Sequence, residues 1–87
     1  MRDDSELIST LQMLFDSHMH ELRYNEPEYE RELLALMREI KATLAGAGPE
    51  KLQALVDKHR ARLEAKGNTE FSERLEEFKK AIAPFVS

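Results

Sequence analysis

The sequence predicts an all-α fold, a small antiparallel four-helix bundle formed by a single domain over residues 1–87. Between the glycines and prolines, apolar residues recur every three or four positions, the spacing of one face of a helix. No segment alternates apolar and polar residues in the manner of a strand. Breaks of only about three to five residues force neighbouring helices to run antiparallel. The predicted helices are 4–23, 26–45, 49–66 and 69–83; three packed helices, with one extended to meet a second chain, are the alternative.

The first helix is expected to begin at Asp3 or Asp4, because Glu6 follows Asp3 at the spacing of a capping box. It is expected to end near residues 23–25. Its apolar positions form one broad stripe, made of Leu7, Ile8, Leu11, Leu14, Phe15, Met19 and Leu22.

The second helix has the signals of a helix start at Asn25, an N-cap residue, and at Pro27 in the first turn. Three acids crowd this turn, where the helix dipole favours negative charge; they are Glu26, Glu28 and Glu30. The apolar stripe consists of Tyr29, Leu33, Leu36, Met37, Ile40 and Leu44. The small residues 45–48 are expected to end the helix.

The third helix is expected to begin at Pro49 and to end before Gly67, a left-handed C-cap. Its apolar stripe consists of Leu52, Leu55, Val56 and Leu63. The fourth helix is expected to follow an N-cap at Asn68 or Thr69 and to fray or end at Pro84. Its stripe has a strict four-three spacing typical of a coiled-coil seam, and contains Phe71, Leu75, Phe78, Ile82 and Phe85.

Composition limits what such a chain can do. Eighty-seven residues build a thin core, and the absence of cysteine excludes disulfides, thiolate zinc sites and cysteine nucleophiles. The net charge of −4 and the pI of about 5.4 disfavour nucleic-acid binding. No apolar run is long enough to cross a membrane, and the polar N-terminus lacks the features of a signal peptide, so we expect a cytoplasmic protein.

Two histidines fall in the middle of apolar stripes, His18 on the first helix and His59 on the third, whereas His20 points to the solvated side. One hypothesis makes His18 and His59 buried polar groups that orient a small apolar ligand inside the bundle or titrate near pH 6. The other makes them core histidines, each satisfied by a backbone carbonyl or a tyrosine hydroxyl.

The sequence shows no catalytic or metal site, and we expect neither an enzyme nor a cofactor. His18 and His20 are two residues apart, so a helix places them on nearly opposite faces. Residues 46–49 lack the lysine and hydroxyl of a phosphate loop. Serines are expected on polar faces or chain ends, outside any nucleophile elbow; they are Ser5, Ser9, Ser17, Ser72 and Ser87.

Charge is distributed unevenly. Residues 1–32 contain nine acids and three bases, and residues 33–87 contain eight acids and ten bases. Four bases line one edge of the third helix, at Lys51, Lys58, Arg62 and Lys66. They are expected to pair with acids of an antiparallel neighbour, for example Glu28, Glu32 or Glu39. The alternative is a docking ridge for an acidic partner helix.

Several apolar residues lie outside the stripes, among them Met13 and Leu34, and alanines 54, 61 and 65 line the back of the third helix. Together with the thin core, this surplus favours a homodimer or a protein-binding groove. We therefore expect a protein-interaction module, a small regulator, adaptor or homodimer, that binds protein through apolar helix faces. The residues expected at the contact are Met13, Met19, Leu34, Lys58 and Arg62.

Residues 52–63, followed by Gly67 and a further amphipathic helix, resemble the helical antibiotic-binding domains of thiostrepton-responsive MerR-type activators. The resemblance implies a ligand-binding bundle, in line with the small-ligand alternative for His18 and His59. It assigns no site residue, because the aromatic residues that line the drug groove of those domains have no clear counterpart here.

Overall fold

In a computed structural model, which describes residues 4–22 and 26–86, the chain folds into four α-helices with no strand among those residues. The helices are α1 (Ser5–Glu21), α2 (Pro27–Gly46), α3 (Leu52–Ala65) and α4 (Thr69–Ile82). The Cα radius of gyration of 12.6 Å is close to the roughly 12 Å expected of a compact chain of this length. The predicted all-α bundle is confirmed.

The helix ends differ from the predictions at two turns that contain a proline. Residues Pro49–Lys51 form a 3₁₀ turn, so the α-helix begins at Leu52 and not at Pro49. The backbone N–H of Lys51 reaches the carbonyl of Gly48, three residues back, which winds this turn more tightly than an α-helix. A second 3₁₀ turn, Ala83–Phe85, surrounds Pro84 where fraying was expected. Of the two predicted starts of the first helix, Asp4 is the N-cap residue of α1, and its carbonyl accepts from the N–H of Ile8 at 2.9 Å. Asp3, and Asn25 as the proposed cap of the second helix, lie outside the described residues.

The joint between α3 and α4 is a Schellman motif, as Gly67 predicted. The N–H of Asn68 donates to the carbonyl of Leu63 at 2.8 Å, and the N–H of Gly67 donates to that of Glu64 at 2.9 Å. Gly67 has φ of 83°, the left-handed conformation that glycine adopts without strain. The Asn68 side chain does not cap α4; it donates to Glu28 on α2.

The core lies where the four stripes meet. It contains Leu7, Leu11, Tyr29, Leu33, Leu36, Met37, Ile40, Leu52, Val56, Leu63, Leu75, Phe78 and Ile82. Other stripe residues pack half-buried at its margin, among them Leu14, Phe15, Met19, Leu22, Leu44, Leu55, Phe71 and Phe85. Ile8 was expected in the stripe of the first helix but is 36% exposed, because it stands at the edge of that stripe. Met13 and Leu34 are exposed, as their positions outside the stripes predicted.

Candidate functional site

His18 joins three helices through a buried polar cluster. On α1, its ring is 5% exposed, and Nδ1 lies 2.8 Å from the Tyr29 hydroxyl on α2. Its Nε2 lies 2.9 Å from Oε2 of Glu77 on α4. We assign the ring proton to Nε2, because a carboxylate can only accept and the Tyr29 hydroxyl can then donate to Nδ1. With that tautomer, both ring nitrogens have partners inside the chain.

Aromatic rings enclose this cluster. The Tyr29 ring stacks on Phe71 with 4.7 Å between centroids, and the Phe78 centroid lies 5.2 Å from that of His18. The guanidinium of Arg74 lies over both Tyr29 and Phe71. Burial raises the pKa of the Tyr29 phenol well above its ordinary value, against a smaller opposing effect of Arg74. The phenol therefore keeps its proton and remains a donor to His18.

His59 belongs to a second buried cluster, between α3 and α2. It is fully buried, and its Nδ1 lies 2.6 Å from Oε2 of Glu32, which is itself only 4% exposed. The other Glu32 oxygen accepts a hydrogen bond from Nε of Arg62 at 3.0 Å. Because the carboxylate accepts, Nδ1 of His59 carries a proton. Nε2 makes no hydrogen bond among the described residues, although Oε1 of Glu39 lies 3.5 Å away.

Glu39 links the His59 cluster to the surface. Lys58 donates from Nζ to both of its oxygens, at 3.2 and 3.3 Å. Burial alone would raise the pKa of Glu39, but the Lys58 hydrogen bond and the neighbouring His59 and Lys58 outweigh it, so the pKa is lowered. The expectation that acids of α2 pair with the bases of α3 is confirmed for Lys58 and Arg62.

A third polar cluster corrects the prediction for Ser72. This residue was expected on a polar face but is fully buried between α3 and α4. Its hydroxyl donates to Glu64 at 2.8 Å and accepts from Nε of Arg60 at 3.2 Å. Arg60 also pairs with Glu76 on α4. Ser72 stands three residues before the core residue Leu75, a spacing that could have placed it on the buried face.

These clusters hold helices together. His18 and His59 are buried as their stripe positions predicted, but they hydrogen-bond to different residues. The expectation of a carbonyl or tyrosine partner holds for His18; for His59 the partner is the Glu32 carboxylate, so that expectation is wrong there. The buried position of Glu32 was missed, although it stands three residues after Tyr29 and four before Leu36 on the apolar stripe.

Of the residues expected to contact protein, Met13 and Leu34 project into solvent, with exposed fractions of 71% and 44%. Met19 is half-buried against the core. Lys58 and Arg62 remain about half exposed while paired with α2. Met13 also stands at an open groove of about 530 Å³ between α1 and α4, which is lined by Thr10, Met13, Leu14, Ser17, Glu77, Lys80 and Ala81.

Two further open grooves are present, one between α2 and α3 and one where α2 and α4 begin. Neither His18 nor His59 lines any of these three grooves.

Within residues 4–22 and 26–86, no three histidine or acidic side chains are grouped so as to hold a metal ion. Over the same ranges, no helix has the length and apolar character needed to cross a bilayer.

Comparison with known proteins finds no match to this chain among family models, curated proteins or solved structures.

Proposed function

We propose that this chain is a non-enzymatic helical module that acts by binding protein, with a second copy of itself as the partner. The observation that supports the proposal is the exposure of Met13 and Leu34 on the outer faces of α1 and α2. Fully burying a side chain of this size stabilises an interface by about 1.5–3 kcal/mol. A small regulator or adaptor would use the resulting dimer as its working form.

The polar clusters support a binding role over a catalytic one. His18, Glu32 and His59 are the buried titratable groups that chemistry would use, and each is hydrogen-bonded across a helix interface. A general acid or base must also reach a substrate proton, and none of these three side chains is more than 5% exposed. The small-ligand alternative stays a prediction, which thermal stability across a panel of metabolites would test.

The experiment is sedimentation equilibrium over protein concentrations from about 1 to about 200 µM, a range that detects micromolar dimers. We expect a reversible monomer–dimer equilibrium. Met13→Ser should weaken it by at least about tenfold, because the methionine of each copy loses its apolar contact. The melting temperature measured in the dilute monomer should not change, since the side chain is 71% exposed there.

The matched control is Ala61→Ser, which alters an exposed apolar residue on α3, away from both outer faces. It should leave the equilibrium unchanged. A single 10.1-kDa species at every concentration would overturn the proposal. So would a dimer that Met13→Ser and Ala61→Ser affect equally.

A further inference from the structure

The outer face of α2 is basic, although the protein is acidic overall. Arg31, Leu34, Arg38, Lys41 and Ala45 follow one another at spacings of three and four residues, so they share one face of the helix, and all five are exposed. We call this set the α2 stripe. It presents three cations around one exposed leucine, on a chain whose net charge is −4.

These three cations differ from those at the packed edges of the bundle. In the described part of the chain, the side chains of Arg31, Arg38 and Lys41 make no ion pair or hydrogen bond. The bases along helix interfaces are instead paired with acids of a neighbouring helix, namely Lys58, Arg60, Arg62 and Lys79. The charges of the α2 stripe are thus available to an acidic surface, and Leu34 supplies an apolar centre.

The outer face of α1 carries the complementary pattern. Glu6, Ser9, Met13, Asp16 and His20 follow the same three-and-four spacing and are all exposed. We call this set the α1 stripe. Its carboxylates are not neutralised by a base in the described residues; Asp16 accepts one hydrogen bond, from the side-chain amide of Gln12 at 3.0 Å.

With Met13 over Leu34 as the shared centre, the charges of the two stripes match better in the antiparallel direction than in the parallel one. When α1 of one copy lies antiparallel on α2 of another with Met13 over Leu34, Glu6 stands seven residues from the centre and faces Lys41. Asp16, three residues from the centre on the other side, then faces Arg31. In a parallel arrangement with the same centre, Glu6 would face Pro27, and Asp16 would stand level with the buried Met37, one residue short of Arg38.

Resting on the proposed function, we infer that the partner copy docks through these stripes in an antiparallel, two-fold symmetric dimer. Within one copy, α1 and α2 pack side by side in opposite directions. A two-fold axis along the bundle therefore brings α1 onto the partner's α2 and α2 onto the partner's α1 together. Such an interface uses the same patch on both copies and closes at two subunits.

The test reverses the charge of one stripe at a time. The acid-reversed variant carries Glu6→Lys and Asp16→Lys, and the base-reversed variant carries Arg31→Glu and Lys41→Glu. Each should dimerise with itself at least about tenfold more weakly than the unaltered protein, because like charges then face each other across both halves of the interface. Mixed in equal amounts, the two variants should form a one-to-one heterodimer, read by native mass spectrometry, with opposite charges restored at every position.

The matched control is the pair Lys51→Glu and Lys66→Glu, which changes the net charge as much as the base-reversed variant but at exposed lysines at the two ends of α3, outside both stripes. It should dimerise like the unaltered protein. Circular dichroism should show the same helix content in all variants. If the unaltered protein dimerises and the reversed variants retain its affinity, or fail to recover it when mixed, the docking inference is wrong while the proposed function stands. If the unaltered protein is monomeric, both fail.

Discussion

The pair formed by His59 and Glu32 should show a large coupling energy, because neither side chain can reach water. His59→Leu would leave the Glu32 carboxylate, 4% exposed, with Arg62 as its remaining partner, and breaking a buried pair in this way costs about 3–5 kcal/mol. Glu32→Met would leave the Nδ1–H of His59 without an acceptor, at a cost of about 1–3 kcal/mol. The double variant removes both polar groups, so its loss should fall short of the sum by about 2 kcal/mol or more.

Urea unfolding followed by circular dichroism gives the free energy of unfolding for all four members of this cycle. Arg62→Met removes the second partner of the Glu32 carboxylate and should cost less than His59→Leu, because the arginine is about half exposed. If His59→Leu does not fold, His59→Gln keeps a donor for Glu32 and should be the milder change. The assignment of a buried, mutually dependent pair would be refuted if the double variant lost an unfolding free energy equal, within about 0.5 kcal/mol, to the sum of the losses in the two single variants.

Three other features give direct tests. Because the pKa of Glu39 is lowered in the folded state, the ionised side chain stabilises the fold at pH values above 4.5, its unfolded-state pKa, and this stabilisation is lost as the pH falls through the folded-state pKa. In Glu39→Gln the melting temperature should therefore depend less on pH over that acid range. A dependence on pH equal to that of the unaltered protein would contradict the pairing with Lys58. The pKa of Tyr29 is raised in the folded state, so the pH dependence runs the other way. The stabilising contribution of the buried phenol should be complete below pH 10.0, its unfolded-state pKa, and should decrease as the pH rises above that value. The chain has two tyrosines, so Tyr24→Phe leaves Tyr29 as the source of any tyrosinate absorbance. That absorbance should appear only when the protein unfolds, and its appearance in the folded protein would count against burial of the phenol. Gly67→Ala should destabilise by about 1 kcal/mol, since φ is 83° and no neighbouring atom lies near an added Cβ. Gly46→Ala, where a Cβ is equally unobstructed but the glycine is helical, should stabilise by about 0.4–1 kcal/mol; equal thermal shifts in the two variants would refute the left-handed cap.

The fold was predictable because its signals are local. A helix face is a repeat of three or four residues, and Pro27, Gly67 and Pro84 mark turns by their own backbone chemistry. The 3₁₀ turn at Pro49–Lys51 was missed because a proline at a helix start is compatible with either winding of the first turn.

The polar clusters were only half predictable, for a physical reason. A stripe position predicts that His18 and His59 are buried, but their partners lie 11 to 59 residues away in sequence. The pairing of acids with imidazoles depends on how far one packed helix is shifted along its axis relative to the other. A local sequence pattern carries no information on this shift. Charged residues on an apolar stripe, such as Glu32, are the signal that a sequence reading can use.

The Schellman joint has a consequence for how the molecule assembles. α3 and α4 pack against each other more extensively than any other pair of helices, and only residues 66–68 separate them. Closing so short a loop costs little chain entropy, so this hairpin can form before α1 and α2 are in place. The amides of α3 and α4 should then exchange with solvent most slowly, and those of α1, held by fewer contacts, should open first.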